Sequence, residues 1–204
     1  LHLKKTRKEQ YKTAEKIFKH WLQKPSVPQI LKAEEKSGKR IIVEIIHQMH
    51  LKYIMIKQKQ KKEGYNIPKK DLIYRPFLHV SGHHRRSCLA QEEEMRRLGL
   101  YAESSSKKAR SEKIVEDYVE RTQIQCDQGA RIPLIMIDEA DYASGSAQIL
   151  KPFVDMSGSK LHISATPQEI IIAYKQENIP YVLREFEPSP NFRGKAWFLD
   201  NKLI

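Results

Sequence analysis

Two adjacent carboxylates follow an apolar run in the second half of the chain. The run Leu134-Ile-Met-Ile137 leads directly into Asp138 and Glu139. Four consecutive apolar residues are typical of a strand covered on both faces, and carboxylates at its carboxyl end fall where open α/β sheets bind ligands. One carboxylate can hold Mg²⁺ while its neighbour positions the water that attacks a γ-phosphate. The pair therefore indicates nucleotide chemistry, with a solvated acidic loop as the plain alternative.

A second apolar segment further along the chain ends in small hydroxyl residues and a proline. Its sequence is Leu161-His-Ile-Ser-Ala-Thr-Pro167. The order Ile-Asp-Glu-Ala-Asp followed by Ile-Ser-Ala-Thr-Pro resembles motifs II and III of the superfamily 2 helicases and translocases, which include the DEAD-box enzymes. The resemblance implies an α/β fold, a RecA-like P-loop NTPase domain whose mostly parallel sheet is flanked by helices. It also implies ATP and Mg²⁺ as cofactors.

The resemblance assigns roles to the residues of these two segments. Asp138 would bind Mg²⁺ and Glu139 would act on the attacking water, so both are candidate catalytic residues. Ser164, Ala165 and Thr166 would hydrogen-bond the motif II strand and couple the ATP state to the grip on nucleic acid. The alternative role of the Thr166-Pro167 pair is to cap the helix that follows.

An upstream segment has the composition of a phosphate-binding loop. We predict a strand at 27–32, a loop at 33–40 and a helix at 41–51. Ser37, Gly38 and Lys39 match the A/G-x-x-x-x-G-K-S/T pattern, in which glycine lets the backbone close around phosphate oxygens and lysine reaches the β and γ phosphates. The alternative is a basic surface in which Gly38 is only a turn residue.

Arg40 departs from that pattern, because the family has serine or threonine at this position. The hydroxyl of serine or threonine helps to coordinate Mg²⁺, whereas a guanidinium has no acceptor lone pair and is not a metal ligand. Arginine can still bind phosphate as a bidentate donor. We therefore expect nucleotide binding to survive this substitution better than turnover.

A third apolar stretch, 77–81, is followed by a basic cluster. By its place in the order it corresponds to motif Ia of the superfamily, whose loop contacts the nucleic-acid backbone. The candidate contacts are Ser81, Gly82, Arg85 and Arg86, since hydroxyl, N–H and guanidinium groups are the usual donors to phosphate oxygens. The alternative is a solvated basic turn.

The chain is strongly basic, with a formal net charge of +12. Such a charge indicates a polyanionic partner, most often nucleic acid, although it also serves solubility. Each basic run by itself is compatible with a solvated loop, so the prediction of backbone binding rests on their sum. The runs lie at 4–8, 57–62, 69–70 and 107–110.

Two cysteines, Cys88 and Cys126, are too few for a disulfide framework or a cysteine-rich metal site. A reducing compartment is therefore expected, which makes the protein intracellular, either cytoplasmic or nuclear. No apolar run approaches the length of a membrane span, and the N-terminus lacks the hydrophobic region of a signal peptide. No membrane partner is expected.

Helices and strands are predicted to alternate, as a parallel sheet with crossover helices requires. Besides the segments above, we expect helices at 6–23, 88–98, 111–121, around 147–154 and at 168–176, strands at 100–103 and 181–186, and an exposed basic loop at 57–75. The predicted inward-facing residues of the first two helices are Tyr11, Ala14, Ile17, Phe18, Trp21, Leu22, Ile42, Ile45, Ile46 and Met49. In the first helix, Gln10 lies where superfamily 2 proteins often place an adenine-reading glutamine, a plain polar helix face being the alternative.

Taken with the resemblance, these patterns predict an N-terminal helix at 1–24, a RecA-like ATP-binding domain at 25–190 and a tail at 191–204 that leads out of the domain. The implied function is that of an ATP-dependent motor domain of a nucleic-acid helicase or translocase, an ATP hydrolase whose turnover Arg40 puts in question. The expected partners are DNA or RNA and a second RecA-like domain, in the same or another chain, that supplies an arginine finger. Two alternatives stay open: a catalytically inert nucleic-acid-binding module with a helicase-like fold, and the motor subunit of a restriction or defence complex.

Overall fold

The computed structural model describes residues 8–34, 37–73, 77–81, 120–138 and 159–187, with the backbone alone at 78–81. Within these ranges there are four helices, one 3₁₀ turn and five strands. In chain order they are α1 (Lys8–Gln23), β1 (Gln29–Lys32), α2 (Lys39–Lys62), the 3₁₀ turn (Lys69–Asp71), β2 (Leu78–Ser81), α3 (120–127), β3 (Leu134–Asp138), β4 (Ser159–Ser164), α4 (Gln168–Gln176) and β5 (Val182–Glu185).

The described strands form one sheet in the order β2-β3-β4-β1-β5, and every pairing in it is parallel. Parallel neighbours need crossover connections, which is why helices alternate with strands along the chain. The predicted α/β class, a mostly parallel sheet with flanking helices, is thereby confirmed. Four predicted strands are present, each within two residues of its expected bounds. They are those at 77–81 and 181–186, the strand that ends in Asp138 and the strand that ends in Ser164.

Helices α1 and α2 cover one face of the sheet. In α1 the buried residues Ala14, Ile17, Phe18 and Trp21 recur at the spacing of one helix face, and the helix ends before Pro25. They share a core with the inward face of α2 and with alternate residues of the central strands. The strand residues in this core are Leu31, Leu134, Met136, Leu161 and Ile163.

The intervening strand residues face the opposite side of the sheet, where α4 packs. His162, between Leu161 and Ile163 on β4, is 8% exposed, and its ring nitrogen Nε2 hydrogen-bonds the hydroxyl of Tyr174 on α4. Because side chains alternate along a strand, this contact places α4 on the face that α1 and α2 leave uncovered. The sheet is therefore covered on both faces, as its apolar strands predicted.

Two buried histidines make the stability of this core depend on pH. Burial, with a smaller effect from the charge of Lys160, lowers the pKa of His162 to about 4. Burial, with a smaller effect from Arg131, lowers the pKa of His50, whose ring stacks on Phe77, to about 3. Each group takes up its proton more readily in the unfolded chain, so acid favours unfolding.

We expect the free energy of unfolding to fall as the pH drops below about 6.5, by up to about 1.4 kcal/mol per pH unit for each histidine. Urea denaturation between pH 7.5 and pH 5 measures this slope, and His162→Gln and His50→Leu should each flatten it. Tyr174→Phe is the matched control, since it removes the partner hydroxyl but leaves His162 buried. An identical slope in all the variants would contradict the assignment.

Helix α2 is longer than the sequence predicted, because it runs from Lys39 to Lys62 rather than over 41–51. The exposed loop predicted at 57–75 is therefore wrong over its first part. Lysine and glutamine are good helix formers, and no glycine or proline interrupts the segment before Gly64. The polar, basic composition indicates that these residues are exposed to solvent, but it does not indicate whether their backbone is helical or irregular.

The inward-facing prediction for α1 and α2 is confirmed for most residues but is wrong for Tyr11, which is 43% exposed. Leu22 and Met49 are partly buried against the core. Helix α4 has the predicted bounds, 168–176. Several predicted segments lie outside the described residues, namely those at 88–98, 100–103, 147–154 and 191–204 and most of the helix at 111–121.

Within the described ranges, no helix has both the length and the apolar character needed to cross a membrane.

Candidate nucleotide-binding site

The strand order creates a switch point between β1 and β4. From β1 the chain passes through α2 to the far edge at β2 and returns through β3 to β4, whereas the connection after β4 crosses β1 to reach β5. The segments that follow β1 and β4 thus lead to helices on opposite faces, α2 and α4. In open α/β sheets, ligands bind in the crevice at the carboxyl ends of two such strands.

The segment after β1 closes into a tight turn before α2. Gly38 is the N-cap residue of α2, with φ 98° and ψ 24°, a left-handed conformation that favours glycine. The side chain of Ser37 is buried, and both its hydroxyl and its backbone N–H donate to the carbonyl of Glu34, at 2.6 Å and 3.3 Å. In this conformation the donors of Ser37 are therefore used within the turn, while the turn presents Gly38 and the helix N-terminus to the crevice.

Gln10 lies against this turn. A methyl group built on Gly38 would come within 3.1 Å of the side-chain nitrogen Nε2 of Gln10, on α1. The tertiary structure thus brings together two of the residues that the sequence singled out separately. A side chain at position 38 would be strained by the positive φ, and the end of the Gln10 side chain would have to move by a few tenths of an ångström to make room for it.

Lys39 and Arg40 begin α2, and the structure gives them different surroundings. Lys39 is half-buried at the helix N-terminus, where N–H groups of the first turn lack helical acceptors and favour anions. Arg40 Nε lies 3.3 Å from the carboxylate oxygen Oε1 of Glu44, one turn further along α2. The guanidinium is thus held along the helix surface by an ion pair.

Asp138 is the last residue of β3 and is buried. Side chains alternate along the strand, so Asp138 lies on the same face as Leu134 and Met136, which is the face that α1 and α2 cover. Strand β4 alone separates β3 from β1, which puts the two strands about 10 Å apart. Asp138 and Lys39 therefore share one edge and one face of the sheet.

Ser164 links the end of β4 to the segment that follows β1. Its carbonyl accepts a hydrogen bond of 2.9 Å from the N–H of Ala33, and its hydroxyl accepts one of 2.9 Å from the N–H of Thr166. Ala165 is half-buried and Thr166 is exposed. The N-cap residue of α4 is Pro167, without a side-chain hydrogen bond, so the capping role considered for Thr166 is not the one the structure shows.

Several candidate residues lie outside the described ranges, namely Glu139, Gly82, Arg85 and Arg86. The backbone of Ser81 ends β2 at the same edge, paired in register with Asp138. The predicted site segments follow β1, β2, β3 and β4. Because these strands are parallel, all four segments begin at one edge of the sheet.

Sequence reasoning did not identify two ion pairs at this site. The partner of Arg40 is Glu44, four residues on, and that spacing is a signal that the sequence did contain. The other pair joins Lys32 Nζ to Glu185 Oε1 at 3.0 Å, between the facing ends of β1 and β5. No local pattern reveals it, because its members are 153 residues apart and meet only through strand register.

The residues present fit Mg²⁺-ATP in part. The close backbone approach at Gly38, the lysine at a helix N-terminus and the buried carboxylate at the same edge suit a triphosphate and its cation. Arg40 does not fit the place of a metal-binding hydroxyl. Among the described residues, no three His, Cys, Asp or Glu side chains cluster as a metal site, so a cation here would rely on phosphate oxygens and water.

Comparison with known proteins adds no relative on which a function can be based. No protein-family model matches the chain, and no curated protein matches its sequence.

Proposed function

We propose that this chain is an ATP-binding motor domain of a nucleic-acid helicase or translocase, with a RecA-like fold. The observation that carries the proposal is the meeting of three elements at one sheet edge: the Gly38-Lys39 turn at the N-terminus of α2, Asp138 at the end of β3, and Ser164 at the end of β4. They surround the switch point between β1 and β4, where an open parallel sheet binds its ligand.

Each residue has a task that its position supports. Lys39 and the N-terminus of α2 would hold the β and γ phosphates, and Gln10, beside Gly38, is the candidate contact to the adenine base. Asp138 would hold Mg²⁺, and bound Mg²⁺ would neutralise charge on the phosphate oxygens. Glu139 would position the attacking water. Ser164, bonded to Ala33 at the entrance to the turn, would transmit the occupancy of the site to β4.

A second candidate function is nucleotide binding without hydrolysis, in a module that holds nucleic acid. The Arg40–Glu44 ion pair favours it, because the position beside Lys39 carries a guanidinium tied along the helix instead of a hydroxyl that binds the cation. Both candidates share the nucleotide site and differ in turnover.

The nucleotide site is tested by titrating the full chain with a fluorescent ATP analogue in the presence of Mg²⁺. We expect Lys39→Ala to weaken binding by about 10- to 100-fold, since a hydrogen bond to a charged group contributes about 1.5–3 kcal/mol. Asp138→Asn should abolish the part of the affinity that depends on Mg²⁺. Lys52→Ala is the matched control, because Lys52 is an exposed lysine of the same helix. Equal affinities for the Lys39 and Lys52 variants would refute the site.

Turnover is measured separately, as phosphate release with and without single-stranded and duplex nucleic acid. Stimulated hydrolysis that Glu139→Gln abolishes supports the motor. Binding without hydrolysis, with phosphate release appearing only after Arg40→Thr, supports the inert module.

A further inference from the structure

The distal half of α2 projects beyond the sheet. Its 24 residues span about 36 Å, whereas the described strands have four to six residues. Ile54 is the last buried residue of the helix, and residues 55–62 are exposed or half-buried. Because α2 starts at the carboxyl edge of the sheet, this end lies at the opposite, amino edge, about 35 Å from Lys39.

The segment after α2 is fixed at the same edge. Asp71 accepts a 2.7 Å ion-paired hydrogen bond from Arg131, which precedes β3 and which also donates to the carbonyl of Leu22, ahead of β1. Gln58, on α2, donates to the carbonyl of Leu72. These contacts hold the 3₁₀ turn, with its exposed Lys69 and Lys70, beside the end of α2.

The charge of this region is almost entirely positive. Between residues 52 and 70 there is one acid, Glu63, and there are seven lysines, namely Lys52, Lys57, Lys59, Lys61, Lys62, Lys69 and Lys70. Successive helix residues are 100° apart, so the lysines at 57, 59, 61 and 62 are spread over about 200° of the helix circumference. We call the region formed by these lysines and Tyr65 the amino-edge basic surface.

Tyr65 lies just beyond the last turn of α2. Gly64, with φ 91°, ends the helix in a Schellman motif: its N–H donates to the carbonyl of Lys61, and the N–H of Tyr65 donates to the carbonyl of Gln60. The backbone of Tyr65 is thus anchored to the last turn of α2, while its side chain is 60% exposed. Tyr65 thus adds an exposed aromatic ring to a lysine-rich region.

We propose that the amino-edge basic surface binds single-stranded nucleic acid, with the lysines on backbone phosphates and the ring of Tyr65 stacked on a base. Cationic side chains that track phosphates, together with aromatic rings on which bases stack, are the general means by which proteins bind single strands. The surface lies at the edge of the sheet opposite the end of β2 and does not depend on the nucleotide site. An anionic membrane fits less well, since an interfacial helix has an apolar face opposite its lysines, and this helix end has no apolar residue from 57 to 62.

The test is fluorescence anisotropy of labelled oligo-dT and oligo-U with the full chain, without nucleotide, across a range of salt concentrations. For the variant Lys59→Gln/Lys61→Gln/Lys62→Gln we expect binding weaker by about tenfold or more at low salt, with a salt slope shallower by about 2, at about 0.7 per lost phosphate contact. Tyr65→Leu should weaken binding by roughly 5- to 100-fold and leave the salt slope unchanged, because stacking releases no counterions.

The matched control is Lys12→Gln/Lys16→Gln/Lys19→Gln, which removes the same charge from exposed positions on α1. Equal losses in the two triple variants, or none in either, would overturn the proposal, as would full affinity in Tyr65→Leu. It would also fail if Arg85→Gln/Arg86→Gln abolished binding that the α2 variants retain, or if the α2 variants lost binding to vesicles containing phosphatidylserine but not to oligonucleotides. Lys39→Ala should bind oligonucleotides normally. A failure of the proposed nucleotide site can therefore be distinguished from a failure of the proposed nucleic-acid surface.

Discussion

Replacing Arg131 with methionine is expected to lower the free energy of unfolding by about 3–5 kcal/mol, because it leaves the buried carboxylate of Asp71 without its cation. Arg131 and Asp71 have side chains only 13% and 11% exposed, and their atoms Nη2 and Oδ1 are 2.7 Å apart. The guanidinium also donates to the carbonyl of Leu22 at 2.9 Å and lies over the ring of Trp21. One substitution thus removes an ion pair, a backbone hydrogen bond and a ring contact.

The measurement is urea denaturation at neutral pH, supported by thermal unfolding, where the midpoint should fall by roughly 10 °C. Arg121→Met is the control, since Arg121 is an exposed arginine of α3, and it should change stability by less than about 0.5 kcal/mol. Asp71→Asn combined with Arg131→Met should be less destabilised than the sum of the two single variants, because neither charge then remains buried alone. Equal stabilities for the Arg131 and Arg121 variants would contradict this account.

Trp21→Ala is expected to cost about 3–5 kcal/mol, the usual range for removing a large buried aromatic side chain. Trp21 is 1% exposed, and its indole nitrogen Nε1 donates a 2.9 Å hydrogen bond to the carbonyl of Ile132, just before β3. Its ring packs edge-on against Phe77 and His50, with centroid separations of 4.8 and 5.1 Å. The residue therefore joins α1 to the sheet and to the middle of α2.

Urea denaturation of Trp21→Ala, Trp21→Phe and Tyr11→Ala separates the contribution of ring packing from that of the indole hydrogen bond. Tyr11, on the same helix but 43% exposed, is the control and should cost less than about 1 kcal/mol. Trp21→Phe keeps an aromatic ring but loses the N–H donor, so it should lie between the other two. Because Trp21 and Arg131 touch, their effects should not add, and simple additivity in the double variant would mean that the contact contributes nothing to stability.

The residues of the proposed nucleotide site are predictable from the sequence to different degrees. Gly38 matches the phosphate-loop pattern in the sequence, and the structure places it in the left-handed region at the start of α2. Asp138 was identifiable because an apolar strand ended there. The hydrogen bond from the Ser37 hydroxyl to the carbonyl of Glu34 is not predictable from the sequence, since it depends on how the turn closes.

The basic residues of α2 show a different kind of error. Their composition predicts a loop, although no glycine or proline before Gly64 interrupts a helix. Charge density indicates exposure to solvent and does not by itself indicate an irregular backbone, because lysine and glutamine form helices readily. The helical backbone gives these lysines a fixed arrangement, and the Schellman turn adds Tyr65 to it.

Local sequence patterns are enough to predict the apolar strands β3 and β4, most of the inward face of α1 and the bounds of α4. These depend on periodicity, propensity and turn chemistry within a few residues. The folded structure is needed to show that Gln10 meets Gly38, that Asp138 and Lys39 share one edge, and that Asp71 pairs with Arg131, 60 residues away. Strand order and register arise from contacts between distant segments, and local patterns carry no information about which distant partner will complete them.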